Sequence, residues 1–186
     1  MQIEKTKLQD VLLVTPRRFG DERGWFNETW NQAAFSDAGI DLDFVQDNHS
    51  FSASAGTVRG LHYQAPPHAQ DKLLRCTRGE ILDVAVDARV GSPTYGHWIG
   101  VRLSAQNGQQ LLVPKGFLHG FATLAQDCEV QYKVTDIYAP DCDGSVLWDS
   151  VGIDWQIGKN AILSTKDETA PAFDAWQSPF VWEGDR

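Results

Sequence analysis

The sequence predicts a mainly β protein: a jelly-roll β-barrel formed as one domain over residues 1–186, with a few short peripheral helices. Three observations predict it. Strand-length runs, apolar or alternating, are dense along the chain. Turn residues interrupt them at short intervals, as at Gly91-Ser92-Pro93, Gln106-Asn107-Gly108, Pro114-Lys115-Gly116 and Pro140-Asp141. Helical signal is thin, and no repeat, charge block or linker divides the chain. Many short strands with turn-rich joints pack as a sandwich or a rolled barrel.

In chain order, the first element expected is a helix over Asn31–Ala38, with Asn31 as its N-cap and Gly39 just past its end. Strands are expected at Phe44–Phe51, Thr57–Gln64, Lys72–Arg78, Glu80–Ala88, His97–Leu103, Gln109–Val113 and Glu129–Ile137. From about Asp154 the chain reads as irregular and is expected to pack on the outside.

Alternation assigns faces, because successive strand residues point opposite ways. In Glu129–Ile137, Val130, Tyr132 and Val134 share the inner face, leaving Glu129, Gln131, Lys133 and Thr135 to solvent. Tyr132 is then either a core tyrosine or a pocket group. Lys72, Leu74 and Cys76 share a face with two apolar members, so Lys72 points inward, which is uncommon for an unpaired lysine. Leu82, Val84 and Val86 form a core stripe, so Asp83 and Asp87 point outward or into a second polar cavity. Gln46, Asn48 and Ser50 face either solvent or a polar pocket. Arg59 falls on the opposite parity to His62 unless Gly60 marks a bulge that re-aims one of them.

Composition removes several function classes. The chain carries 16 basic and 25 acidic residues, a formal charge of −9, which argues against a nucleic-acid partner. Its longest aliphatic run is Val11–Val14, too short to span a membrane. The first residues, Met1-Gln2-Ile3-Glu4-Lys5, lack a signal-peptide core, and a cytoplasmic protein is expected. Cys76, Cys128 and Cys142 are scattered and odd in number, which suits reduced structural thiols.

One motif carries chemistry. Gly108, Pro114, Gly116 and His119 are spaced like the second half of the cupin signature. The first half is altered: Gly56 leads to His62, but Gln64 stands where a second histidine belongs and Lys72 where a glutamate belongs. A metal site needs several histidine and carboxylate ligands. An ammonium in their place repels a cation and attracts an anion, so the expected pocket is cupin-like, metal-free and built for negative charge.

Further blocks lie in order along the chain: Asp21-x-Arg23-Gly24-x-Phe26, Gln46-Asp47-Asn48-His49-Ser50, Arg59-Gly60-Leu61-His62-x-Gln64, Lys72-Leu73 with Arg75, Pro114-x-Gly116-Phe117-x-His119-Gly120-Phe121, Tyr132, Tyr138-x-Pro140 and Ser164-x-Lys166-Asp167. With these the chain resembles the dTDP-4-dehydrorhamnose 3,5-epimerases, which invert C3 and C5 of a 4-keto-6-deoxyhexose. The resemblance implies a homodimer without metal or organic cofactor and a dTDP-linked 4-keto-6-deoxyhexose as substrate. It implies that His62 is the base, Asp167 its partner, Tyr132 the acid on the other side of the ring, and Lys72 the group facing the ketone oxygen. Arg23, Phe26, Glu28, Gln46, Asn48, Arg59, His119, Asp143 and Lys166 are implied to hold the nucleotide and sugar, and Tyr138 to stack on the base. Asp143 departs from the family's usual glutamate and keeps its carboxylate with a shorter reach.

The chemistry explains why such groups are needed. Protons at C3 and C5 are acidified only by the C4 ketone. An imidazole titrates near neutrality and suits their removal, and an adjacent carboxylate fixes its tautomer. A cation at the developing enolate oxygen stabilises it, and a neutral phenol returns the proton from the other side. The competing readings are an epimerase acting at one carbon only, a metal-dependent cupin, and a nucleotide-sugar-binding module without catalysis.

Overall fold

The computed structural model describes residues 1–158 and 161–184. Its strands are β1 (Gln2–Lys5), β2 (Leu12–Thr15), β3 (Arg18–Asp21), β4 (Gly24–Asn27), β5 (Gln46–Ser52), β6 (Val58–Gln64), β7 (Lys72–Arg78), β8 (Glu80–Asp87), β9 (Trp98–Ser104), β10 (Gln110–Val113), β11 (Phe117–Thr123), β12 (Cys128–Val134) and β13 (Asp143–Ser145). Two short helices, α1 (Gln32–Ser36) and α2 (Thr165–Glu168), lie outside them. The strands form a six-stranded sheet, β1-β2-β10-β7-β12-β5, a five-stranded sheet, β13-β6-β11-β8-β9, and a separate ribbon, β3-β4. Every strand pairing within these sheets is antiparallel. This is the cupin-like jelly roll expected from the sequence.

Three apolar layers hold it. Leu74, Cys76, Leu111 and Val130 of the larger sheet meet Ile81, Ala85, Leu103, Phe117 and Phe121 of the smaller one in the interior. The outer face of the smaller sheet, including Leu61, Leu82, Val84, Val86 and Leu118, is covered by Val146, Ile153, Trp155, Trp176 and Phe180 of the C-terminal segment. The outer face of the larger sheet, at Val14, Leu73 and Leu112, is covered by Phe35 of α1 with Trp30 and Phe44. Trp30 packs against both rings, with centroids 4.2 and 4.6 Å away. Trp30, Trp148, Trp155 and Trp176, four of the seven tryptophans, thus serve as covers, because an irregular segment buries a sheet face best with large rings.

α1 is shorter than expected but begins and ends as its sequence dictates. The Asn31 side chain accepts a hydrogen bond from the Ala34 N–H at 3.1 Å. Gly39 takes a φ of +79°, and the next residue's N–H returns to the Phe35 carbonyl at 2.9 Å.

Two face assignments are corrected. Asp83 and Asp87 do not point outward: both are fully buried because they share the interior face of β8 with Ile81 and Ala85, while Leu82, Val84 and Val86, expected as the inner stripe, form the outer face that the C-terminal segment covers. Asp87 collects hydrogen bonds from Arg89, Ser92 and Thr94 and pins the loop after β8. The polar face of β12 is also only partly open, because Gln131 accepts a hydrogen bond from Arg75 and Lys133 pairs with Asp47 of β5.

Candidate active site

The two sheets enclose a cavity of about 420 Å³ that is lined from both sides. β6 and β11 of the smaller sheet supply Arg59, His62 and His119. β5, β7 and β12 of the larger sheet supply Ser50, Lys72 and Tyr132. The C-terminal segment closes the wall with Ile162, Leu163, Ser164, Lys166 and Asp167. It is held there by the Val58 N–H bonding the Ile162 carbonyl and the Ile162 N–H bonding the Gly56 carbonyl, both at 2.9 Å. Apart from the Ser164-x-Lys166-Asp167 block, nothing periodic announces that wall, since an isolated bridge rather than a strand secures it.

A bulge brings Arg59 and His62 into the same cavity. His62 lies opposite His119, yet Arg59 lies opposite Phe121, so β6 places two residues against the single Gly120 of β11. Gly60 makes this possible. Its φ is +141°, and a Cβ there would lie 2.6 Å from the Gly120 Cα and 3.0 Å from the His119 carbonyl oxygen. The bulge considered from parity alone is therefore present.

His62 Nε2 lies 2.6 Å from Asp167 Oδ1, 105 residues along the chain. Ser164 caps α2, its hydroxyl accepting from the Asp167 N–H at 3.2 Å, and so fixes that carboxylate in place. Burial pushes the Asp167 pKa up, but hydrogen bonds from His62, Ser164 and the Gly60 N–H outweigh it and leave it below the usual carboxylate range. An ionised Asp167 accepts the Nε2 proton, which leaves the Nδ1 lone pair of His62 as its basic site.

A second pair lies beside the first. His119 Nε2 is 2.9 Å from Asp83 Oδ1, and Asp83 is fully buried. Burial raises the Asp83 pKa and lowers that of His119, each opposed by the other partner. Asp83 Oδ2 and Ser50 Oγ are buried without a hydrogen-bond partner among the described residues. Lys72, partly buried, has its pKa lowered to about 8 by burial, against the pull of Asp143 and Asp83. Burial also raises the Tyr132 phenol, which keeps it protonated and able to donate near neutral pH.

The other predicted residues fall into two groups. Gln46, Asn48, Tyr138 and Asp143 form a linked set beside the cavity. The Gln46 amide donates to Asn48 Oδ1 at 2.9 Å, and Gln46 Oε1 accepts from the Tyr138 N–H at 2.9 Å. Asp143 accepts from Lys166 at 2.5 Å and from the Tyr138 hydroxyl at 3.3 Å. The shortened carboxylate at 143 thus still meets the lysine. Arg23, Phe26 and Glu28 are not brought to the cavity within one chain. They stand on or just after the β3–β4 ribbon, where the Arg23 side chain is 85% exposed and pairs with Asp21, and Phe26 is 68% exposed. A ribbon outside both sheets has no path to their interior.

The altered cupin positions have distinct fates. Lys72 enters the cavity, but Gln64 does not: it is buried and spends its amide on backbone groups of neighbouring loops. Among the described residues no three His, Cys, Asp or Glu side chains converge as metal ligands. Sequence reasoning passed over Phe121, Ile162 and Leu163 as lining residues, and Ser52, which accepts from Arg59 Nε at 3.1 Å.

Known proteins are similar to this chain in sequence and in fold. The family model described as dTDP-4-dehydrorhamnose 3,5-epimerase matches residues 5–175. The dTDP-4-dehydrorhamnose 3,5-epimerase of Salmonella typhimurium is 49% identical over 177 residues, covering 94% of this chain and 96% of its own. A crystal structure of dTDP-6-deoxy-D-glucose-3,5-epimerase from Legionella pneumophila, in complex with dTDP-4-keto-L-rhamnose, superposes with a TM-score of 0.94 at 39% identity, covering 98% of this chain and 99% of that one. A 3′-monoepimerase from Streptomyces bikiniensis, in complex with dTDP-quinovose, superposes with a TM-score of 0.86 at 32% identity, covering 92% and 87%. With that extent of likeness added to the cavity just described, the chain belongs to the dTDP-4-dehydrorhamnose 3,5-epimerase family.

Proposed function

We propose that this protein epimerises dTDP-4-dehydro-6-deoxy-D-glucose at C3 and C5 to give dTDP-4-dehydro-L-rhamnose. His62, with Asp167 behind it, takes the proton from the carbon next to the ketone. The electron pair moves to the ketone oxygen, where the Lys72 ammonium stabilises the enolate. Tyr132 returns a proton to the same carbon from the other side, the ketone reforms, and the second carbon follows in the same way. The observation that carries this reading is that His62 and Tyr132 line one cavity from opposite sheets, with Lys72 on the strand next to Tyr132. A base and an acid so placed address opposite faces of a ring held between them. Arg59, His119 and Lys166 hold the diphosphate and sugar, and Gln46, Asn48, Tyr138 and Asp143 the nucleotide end.

The same proposal makes the enzyme a homodimer of single-domain chains in the cytoplasm. Phe19, Trp25 and Phe26 of the ribbon are 51%, 60% and 68% exposed, an apolar surface that suits contact with a second copy. Arg23, Phe26 and Glu28 then serve the partner's cavity. Native mass measurement reads a dimer, and Trp25→Ser with Phe26→Ser shifts it towards monomer.

The direct test is turnover of dTDP-4-dehydro-6-deoxy-D-glucose in deuterated water. Label enters both C3 and C5, and His62→Ala abolishes it. Label at one carbon only selects a monofunctional epimerase, the reading favoured by the likeness to the 3′-monoepimerase. Label at neither carbon removes the epimerase reading altogether.

A further inference from the structure

The segment that carries Tyr138 is exposed by its side chains and tethered by its backbone. Ile137 and Tyr138 are 58% and 57% exposed, and neither packs into a core cluster. Apolar burial therefore does not hold the segment in place. Three glutamine side chains from other elements do so instead. Gln64 donates to the Ile137 carbonyl at 2.9 Å and accepts from the Ala139 N–H at 2.9 Å, bracketing Tyr138 on both sides. Gln46 accepts from the Tyr138 N–H itself at 2.9 Å. Gln70 donates to the Asp136 carbonyl at 2.8 Å and to the Ile137 carbonyl at 3.4 Å.

Gln64 is the most constrained of the three. It is 5% exposed, and its second amide hydrogen goes to the His68 carbonyl at 2.5 Å, which ties the loop after β6 to the same anchor. It lies two residues from His62 on β6 and makes no contact with the cavity. A primary amide suits this bracketing, because its oxygen accepts from one neighbour's N–H while its nitrogen donates to the other's carbonyl.

We propose that Gln64, assisted by Gln70, is a positioning residue for nucleotide recognition: it presets the backbone on either side of Tyr138 so that the ring is held ready for the base. This rests on the functional reading above, in which Tyr138 meets the nucleotide. The position that carries a metal ligand in the cupin pattern thus holds a backbone clamp in this chain. A preset ring loses less conformational freedom on binding, so the clamp acts on affinity rather than on the chemical step.

The test measures dTDP binding by calorimetry, together with kcat and deuterium uptake at saturating sugar nucleotide. Gln64→Met keeps the volume and removes the clamp, and is expected to weaken dTDP about tenfold and to change kcat less than about twofold. In a Tyr138→Ala background the same substitution costs no further dTDP affinity, because the clamp acts only through that ring. Gln70→Ala, at a less buried site, shows the same pattern in smaller degree and decides the matter if Gln64→Met does not fold. Unchanged dTDP affinity in the folded variants, a loss in kcat as large as that in affinity, or additive losses with Tyr138→Ala each overturn the proposal. A wild-type protein that exchanges label but ignores dTDP overturns it while leaving the epimerase intact. A wild-type protein that neither exchanges label nor binds dTDP overturns both.

Discussion

Replacing Lys72 by Met separates what the lysine does for the fold from what it does for the reaction. Burial holds its pKa at about 8, against an ordinary value of 10.5. At about 1.4 kcal/mol per pH unit, keeping the ammonium in the folded protein costs roughly 3 kcal/mol at pH 7, attraction to Asp143 and Asp83 already included. Methionine has similar length and carries no charge. Lys72→Met is therefore expected to raise stability by about 1–3 kcal/mol in urea unfolding at pH 7. The pH dependence has a definite sign. Between pH 8 and 10.5 the unfolded chain binds more protons at this site than the folded one, so wild-type stability rises with pH across that window. The advantage of the variant shrinks over the same range. Activity moves the other way: loss of a charge aimed at a developing oxyanion lowers kcat by about 10²–10³-fold. A Lys72→Met protein less stable than wild type at pH 7 would refute the reasoning, because the lysine would then be a net structural asset.

Three further outcomes follow from the same geometry. The wild-type kcat/KM falls as pH rises through about 8, where Lys72 loses its proton, and Lys72→Arg moves that limb upward because a guanidinium stays charged; a pH–rate profile checks it. Gly60→Ala forces a Cβ to within 2.6 Å of the Gly120 Cα at a φ of +141°, and thermal unfolding is expected to show a loss on the order of 2–5 kcal/mol. Asp167→Asn removes a carboxylate held below its ordinary pKa, whose stabilisation is present above the unfolded value and lost as pH falls. The variant's stability in acid unfolding is flatter with pH than that of wild type, and its deuterium uptake falls because the His62 tautomer is no longer fixed.

Legibility in the sequence followed how local each determinant is. β7 is legible to its ends, and β8, β9 and β12 to within a few residues, because their alternation or apolar runs are local properties. β11 is legible only as a motif. Every residue from Phe117 to Thr123 is buried, so it lacks the polar face that period-two reading needs. The hidden faces of β8 have the same cause. The rings that cover Leu82, Val84 and Val86, such as Trp155 and Phe180, belong to a segment without periodicity, so that stripe reads as the interior and the Asp83 side as the outer one, the reverse of the arrangement that forms.

Site residues divide in the same manner. The inward lysine at 72 and the inward tyrosine at 132 were visible as violations of local pattern: a charge among apolar neighbours and a phenol in a valine stripe. Gly60 flags a place where alternation fails, and the bulge there is what allows Arg59 and His62 to share a cavity. The partnership of His62 with Asp167 spans 105 residues and rests on a bridge at Ile162 and a capped turn at Ser164, neither with a recognisable spacing to β6. Only family likeness could name it in advance. Gln64 marks the limit most sharply. From the sequence it was a missing metal ligand, a statement about what the site had lost. Its three backbone partners come from two separate loops, and only their positions in space turn that absence into the clamp around Tyr138. Local reading can therefore find where a pattern is broken, while the use made of the break is set by contacts that are distant in the chain.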